Sequence, residues 1–262
     1  MAPTIKTKKE IAALREGGRI LAAILARVAE EAQPGASAAF LDARADELIR
    51  AAGGVPSFKG YRPKGALPYP SAMCISINSE VVHAIPRADK IFRTGDVVAL
   101  DIGMQWPHHD KAIRGLFTDM AVTIGIGDIS KDAKRLITAT RDALQKGIAA
   151  VRAGARVGDI SAAVQKHLDS QKLGIVRDLA GHGVGYAVHE EPFIPNWGRA
   201  GSGAELREGM VIAIEPIANL GSERVVLERD GWTYSTADKS LSAHFEHTLA
   251  VTKRGAEVLT IL

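Results

Sequence analysis

Four acidic residues border apolar runs in this 262-residue chain, two at the end of a run and two at the start of one, at matched places in its two halves. Asp101 ends the run Arg93-Thr94-Gly95-Asp96-Val97-Val98-Ala99-Leu100, and Glu215 ends Arg207-Glu208-Gly209-Met210-Val211-Ile212-Ala213-Ile214 in the same way. Asp119 follows Phe117-Thr118 and precedes an apolar tail; Glu246 follows His244-Phe245 and precedes another. Ionised carboxylates are costly in apolar surroundings and repel each other when gathered, unless cations neutralise them. With His182, from Gly181-His182-Gly183-Val184-Gly185, they make five candidate metal ligands, four oxygen donors and one nitrogen. Such a set disfavours a structural thiolate zinc site and suits Mn, Fe, Co or Zn in an open catalytic centre. Two divalent ions would balance four carboxylates, so charge favours two metals over one. In such a centre a bridging water or hydroxide forms at neutral pH, and the second ion clamps oxygens that gain charge in the transition state.

Each acid taken singly has an ordinary alternative. Asp101 could be a strand-end turn residue, Asp119 could bond its neighbour Thr118, Glu215 could pair with an arginine, and Glu246 could blunt an edge strand. Their joint appearance at matched positions is what favours a common role. His83 and His189 also match, in Val82-His83-Ala84-Ile85-Pro86 and Val188-His189-Glu190-Glu191-Pro192. They could be structural histidines. As functional groups they would flank the metals, one donating to a peptide substrate and the other steadying a tetrahedral intermediate or its leaving amine. The glycines around His182 permit close backbone approach; a phosphate-cradling loop is the weaker reading, since no GxxxxGK[ST] pattern accompanies it.

These residues need elements to hold them. Thr7-Lys8-Lys9-Glu10 has capping-box spacing, and Leu14, Leu21, Ile24, Leu25 and Val28 continue at helical period. Ser37 caps a second predicted helix with Phe40, Leu41, Ala45, Leu48 and Ile49 on one face. The order repeats with Ser130 before Leu136, Ile137, Leu144, Ile148 and Val151, and then, after Gly154, a helix bearing Ile160, Val164 and Leu168. Strands are predicted at 74–78, 97–104, 120–126, 210–217 and 248–252. Residues 53–73 read as a long loop, and 106–116 as an extended hairpin connection. The pattern predicts an α+β class, with pseudo-twofold halves of about 7–126 and 130–254 sharing an antiparallel sheet within one catalytic domain, 1–262. The site is expected where the matched acids meet.

A content of 46% hydrophobic residues suffices for a substantial core, and a net charge of +3 does not call for nucleic acid or membrane as partner. The single cysteine, Cys74, excludes an internal disulfide. Residues 1–10 show no apolar signal-peptide region and no run is long enough to span a bilayer, so the cytoplasm is expected. Lys6, Lys8 and Lys9 could meet a ribosome transiently, but such a run is ordinarily a solvated face.

The full ordered set of these words resembles the type I methionine aminopeptidases, members of the pita-bread metallopeptidases. It comprises Cys74-Ile75-Ser76-Ile77-Asn78, Val81-Val82-His83, Asp101, Thr118-Asp119, Gly181-His182-Gly183-Val184-Gly185, His189-Glu190-Glu191-Pro192, Ile214-Glu215-Pro216, Asp230-Gly231-Trp232-Thr233 and Ser242-Ala243-His244-Phe245-Glu246-His247-Thr248. The resemblance implies removal of the initiator methionine from nascent chains, by a monomer that binds neither DNA nor membrane. It implies that Asp101 holds one metal, His182 and Glu215 the other, and that Asp119 and Glu246 bridge them. His83 and His189 would contact substrate and transition state, with Glu215 a candidate for proton transfer. Tyr61, Tyr69, Cys74 and Trp232 match positions lining an apolar methionine pocket, with Phe58 and Val188 placed less firmly, and the following residue would have to be small. The chain departs from the family pattern in long 60–73 and 101–119 connections, in Ala84 after the first histidine, and in Tyr186-Ala187. The nearest alternatives are a proline-specific aminopeptidase or prolidase, which normally carries a large additional N-terminal domain, and a non-hydrolytic peptide-binding relative, which normally loses ligands.

Overall fold

The computed structural model describes all residues except 1, 64, 66 and 109–114. The first half opens with helices α1 (Lys8–Glu31) and α2 (Ala38–Ala51) and continues through strands β1 (Val55–Pro56), β2 (Met73–Ile77), β3 (Glu80–Val82), β4 (Val97–Trp106) and β5 (Leu116–Gly125). The second half again begins with two helices, α3 (Lys131–Ala149) and α4 (Val157–Ser170). There follow β6 (Gly174–Ile175), β7 (Ala180–Gly183), β8 (Glu190–Pro195), β9 (Val211–Ile214), β10 (Ile217–Asn219) and β11 (Val225–Leu227). The chain ends with β12 (Tyr234–Thr236), β13 (Ser242–His244), β14 (Glu246–Val251) and β15 (Ala256–Val258). The class is α+β, as the pattern of runs predicts.

Local chemistry sets the helix starts. Thr7 and Glu10 form a reciprocal capping box on α1, and the hydroxyls of Ser37 and Ser130 accept from the third residue of α2 and α3. One predicted face needs correction: Phe40 is 52% exposed. The buried stripe of α2 is Ala38, Leu41, Ala45 and Ile49, and Phe40, one step from Leu41, is turned about 100° away from it. Lys6 also departs from the expected solvated face. It is 3% exposed, and its ammonium pairs with Glu190 at 2.8 Å, which ties the segment before α1 to the stretch that carries His189.

The main sheet runs β1-β4-β5-β14-β9-β7-β8, with β2 also on β4 and β15 also on β14, and every pairing in it is antiparallel. Its two halves join between β5 and β14, where Ala121 faces Glu246. Each half keeps its own apolar core, one built on α1 and α2 with Leu100, Ile102 and Met104, the other on α3 and α4 with Ile212, Ile214 and Leu249.

Two strand boundaries differ from expectation in ways that matter for the site. The predicted strand at 210–217 is two strands, because Pro216 has no N–H to continue a ladder: β9 stays in the main sheet, while β10 pairs with β13 and β6 in a separate one. The predicted strand at 120–126 starts four residues earlier, so Asp119 lies within β5 and opposite Gly103 of β4. The ladder between β4 and β5 reaches Trp106 opposite Leu116. Most of the predicted 106–116 connection lies outside the described residues.

Candidate metal centre

The acids lie on neighbouring strands because the repeat places them there. Asp101 is on β4, Asp119 on β5 and Glu246 on β14; Glu215 follows β9, and His182 is on β7. In sheet order these are consecutive strands. His182 needs the glycines on either side of it. A Cβ at Gly181 would stand 2.4 Å from the carbonyl oxygen of Ala213, and one at Gly183 would stand 2.2 Å from that of Glu191. Only glycine lets β7 run this close to β9 and β8.

Asp119, His182 and Glu246 each offer a ligand atom within 4.8 Å of the others, and all three are buried. The His182 ring is oriented by Nδ1, 2.9 Å from the carbonyl oxygen of Gly183, an acceptor only. Nδ1 therefore carries the proton, and the Nε2 lone pair faces the acids. Nε2 lies 3.5 Å from Asp119, 3.7 Å from Glu215 and 3.9 Å from Glu246. Asp119 is fixed from behind by Thr248, whose hydroxyl accepts from the Asp119 N–H at 3.0 Å and lies 2.9 Å from Oδ1. Among the described residues the ion pairs of these acids are to histidines alone.

The donor set fits divalent cations on direct observation. Asp101 is 8% exposed, and its Oδ1 has no hydrogen-bond partner. With protein groups alone as neighbours, burial pushes Asp101 up to about 7, against a partial offset from His244, and burial pushes Glu215 up to about 8. Burial raises Asp119 and Glu246 too, and repulsion from the other acids adds to the rise at Glu246. A carboxyl whose folded pKa exceeds its unfolded value stabilises the fold while protonated. That contribution is lost as pH climbs from the ordinary carboxylate range near about 4 through about 7 for Asp101 and about 8 for Glu215. The chain stripped of metal is therefore expected to lose thermal stability across this window, and Mn²⁺ to raise its melting temperature more near the top of the window than near the bottom. Scanning calorimetry at several pH values checks this, and a flat profile for the stripped chain would contradict it.

One cavity joins the acids to an apolar wall. Its lining combines Asp101, Asp119, His182, Glu215 and Glu246 with Phe58, Tyr61, Tyr69 and Cys74, and includes His83 and His189. Cys74 lies opposite Asp101 in the pairing of β2 with β4. Tyr69 is anchored by its hydroxyl near the carbonyls of Met73 (3.2 Å) and Ala84 (3.1 Å). Trp232 does not line this cavity; it packs edge-on against Tyr69 with ring centroids 5.2 Å apart. Val188 is buried and is likewise absent from the lining. His83 follows β3 in the left-handed region, φ 56°, an uncommon conformation for a residue with a Cβ. His189 stands at the mouth, its ring centroid 4.5 Å from that of His182 and its Nδ1 2.8 Å from the Tyr61 hydroxyl. Desolvation holds His83 down to about 4 and also lowers His189, with repulsion from nearby imidazoles adding in both cases, so both rings are neutral at pH 7. The Tyr61 contact spans an irregular loop, where no periodicity could have pointed to it. His244 offers one sequence signal only, an imidazole two residues before a candidate ligand.

The comparisons with known proteins agree on the kinship. The model of metallopeptidase family M24 matches residues 12–253. A methionine aminopeptidase of Clostridium perfringens is 40% identical over 258 residues, covering 98% of each chain, and methionine aminopeptidase 1 of Bacillus subtilis is 38% identical over 255 residues, covering 97% of this chain and 98% of its own. The crystal structure of a methionine aminopeptidase from Thermotoga maritima superposes with a TM-score of 0.93 at 39% identity and covers 100% of both chains. A prolidase from Pyrococcus horikoshii shares the fold alone, with a TM-score of 0.75 at 22% identity, and its match covers 98% of this chain and 63% of its own.

Proposed function

The chain belongs to metallopeptidase family M24, among the pita-bread methionine aminopeptidases, and from that footing we propose that it removes the N-terminal methionine from nascent proteins and peptides whose second residue is small. The observation that carries this reading is the convergence of Asp119, His182 and Glu246 within 4.8 Å, in a cavity shared with Asp101 and Glu215. In this reading Asp101 would hold one divalent ion, His182 and Glu215 would hold the other, and Asp119 and Glu246 would be shared between the two. When bound, the pair would supply a water of lowered pKa and Lewis-acid stabilisation of a carbonyl oxygen.

The remaining chemistry belongs to the protein. Phe58, Tyr61, Tyr69 and Cys74 offer a wall for a flexible thioether, and Trp232 braces Tyr69 from behind. A bulky second residue would have to pass between that wall and the acids, which favours small ones. His189 is neutral and can donate from Nε2 while Tyr61 holds Nδ1, so it is suited to the oxygen that gains charge as the carbonyl is attacked. His83, from the other side, is suited to the substrate backbone. Glu215 accepts and returns the proton that must reach the leaving amine.

The working surroundings follow from the same reading: a cytoplasmic monomer acting on emerging chains as one catalytic unit. No described helix is long and apolar enough to cross a membrane. The test is to offer Met-Gly-Met and Gly-Pro peptides side by side to protein loaded with Mn²⁺ or Co²⁺. Release of methionine is expected, with Gly-Pro left intact; preferred cleavage at the Xaa-Pro bond would move the assignment to the prolidases.

A further inference from the structure

His244 stands outside the ligand set, yet it is 2% exposed and neither ring nitrogen has a hydrogen-bond partner. Leaving a buried polar group unpaired costs about 1–3 kcal/mol, so an imidazole in this position calls for a partner.

The fold supplies one. β9 ends at Ile214 and β10 begins at Ile217; β13 ends at His244 and β14 begins at Glu246. Both stretches leave one sheet for another at the same level, with Ile217 opposite His244 on one side of the break and Ile214 opposite His247 on the other. Glu215 and His244 therefore meet across the gap. His244 Nε2 lies 3.4 Å from Glu215 Oε2, within reach of a hydrogen bond though not aligned as one, while Oε1 of the same carboxylate faces His182 Nε2 at 3.7 Å. The backbone of His244 is held in place: its N–H donates to the Thr123 hydroxyl at 2.9 Å, and its carbonyl accepts from that hydroxyl at 2.7 Å.

We propose that His244 is a positioning residue whose Nε2–H donates to Glu215 Oε2, turning Oε1 toward the cation that Glu215 and His182 hold together. A carboxylate bonded through one oxygen presents the other in a fixed direction, whereas a free one rotates between modes of coordination. The inference rests on the metal-centre reading given above.

The test is calorimetric titration of the full chain, stripped of metal, with Mn²⁺, accompanied by visible absorption spectra of the Co²⁺-loaded protein. His244→Leu keeps the bulk and loses the donor, while His244→Gln places an amide N–H near the reach of Nε2. The leucine variant is expected to bind one ion roughly 10- to 100-fold more weakly and to shift the Co²⁺ bands, while the glutamine variant stays within about threefold of the parent. Leucine and parent binding alike, or glutamine and leucine impaired alike, would overturn the proposal. Melting of the stripped variants separates folding from binding. Should the leucine variant not fold, His244→Asn, whose amide reaches only the place of Nδ1, is compared with glutamine on the same criterion. Absence of Mn²⁺ uptake by the parent would be a different failure, that of the metal-centre reading itself, and would remove the premise of this inference.

Discussion

Glu246→Gln is expected to abolish measurable release of methionine from Met-Gly-Met, lowering kcat/KM on the order of 10³-fold or more, about 4 kcal/mol of lost transition-state stabilisation. The same variant is expected to hold at least one divalent ion less firmly. Glu246 is 3% exposed, opens β14 at the seam between the two halves and stands among four groups, Asp101, Asp119, His182 and Glu215, that converge on one cavity. An amide there keeps the shape and removes the charge that two cations would share. Surface damage is not an alternative explanation, since the side chain is enclosed by the acids it repels. Asp119→Asn should behave alike, because Thr248 fixes that carboxylate at 2.9 Å while its other oxygen lies 3.5 Å from His182 Nε2, among the other candidate ligands. Metal content of the purified variants together with turnover decides the matter: near-normal activity and stoichiometry would deny that these two residues bridge anything.

Much of this arrangement is legible in the order of residues. The matched words around Asp101 and Glu215 can be read because each strand must pair with a neighbour, and like strands pair in like ways. The seam between β5 and β14 then brings the second pair of acids together without further instruction. The helix caps are equally legible, being chemistry within four residues. What escapes is whatever depends on contacts far apart in sequence. Lys6 reads as part of a charged run but is drawn inside by Glu190, and Phe40 reads as core but is left outside a narrow stripe of small and branched residues. Tyr61 reaches His189 from a loop with no pattern of its own. The break at Pro216 was visible as a proline, yet its consequence, that Glu215 and His244 sit where two strands change sheets, follows only once the partners of β10 are known.

The last prediction separates binding the metals from using them. His189→Ala should leave divalent ions bound as in the parent, because its ring lies beside His182 and not among the acids, at a centroid distance of 4.5 Å. Turnover should nevertheless fall by roughly 10²- to 10³-fold in kcat, the scale of a lost general acid or oxyanion donor. Titration calorimetry gives the first quantity and steady-state kinetics the second; an unchanged kcat would reduce His189 to scaffold. Tyr61 sharpens the test. Its hydroxyl, 2.8 Å from His189 Nδ1, can set the direction in which Nε2 points. Tyr61→Phe should then cost only about 3- to 10-fold, the worth of one hydrogen bond. In the His189→Ala background the same change should cost nothing further, since residues that act through one another are not additive. A full additional loss in the double variant would instead place the phenol on the substrate, as part of the methionine wall in its own right.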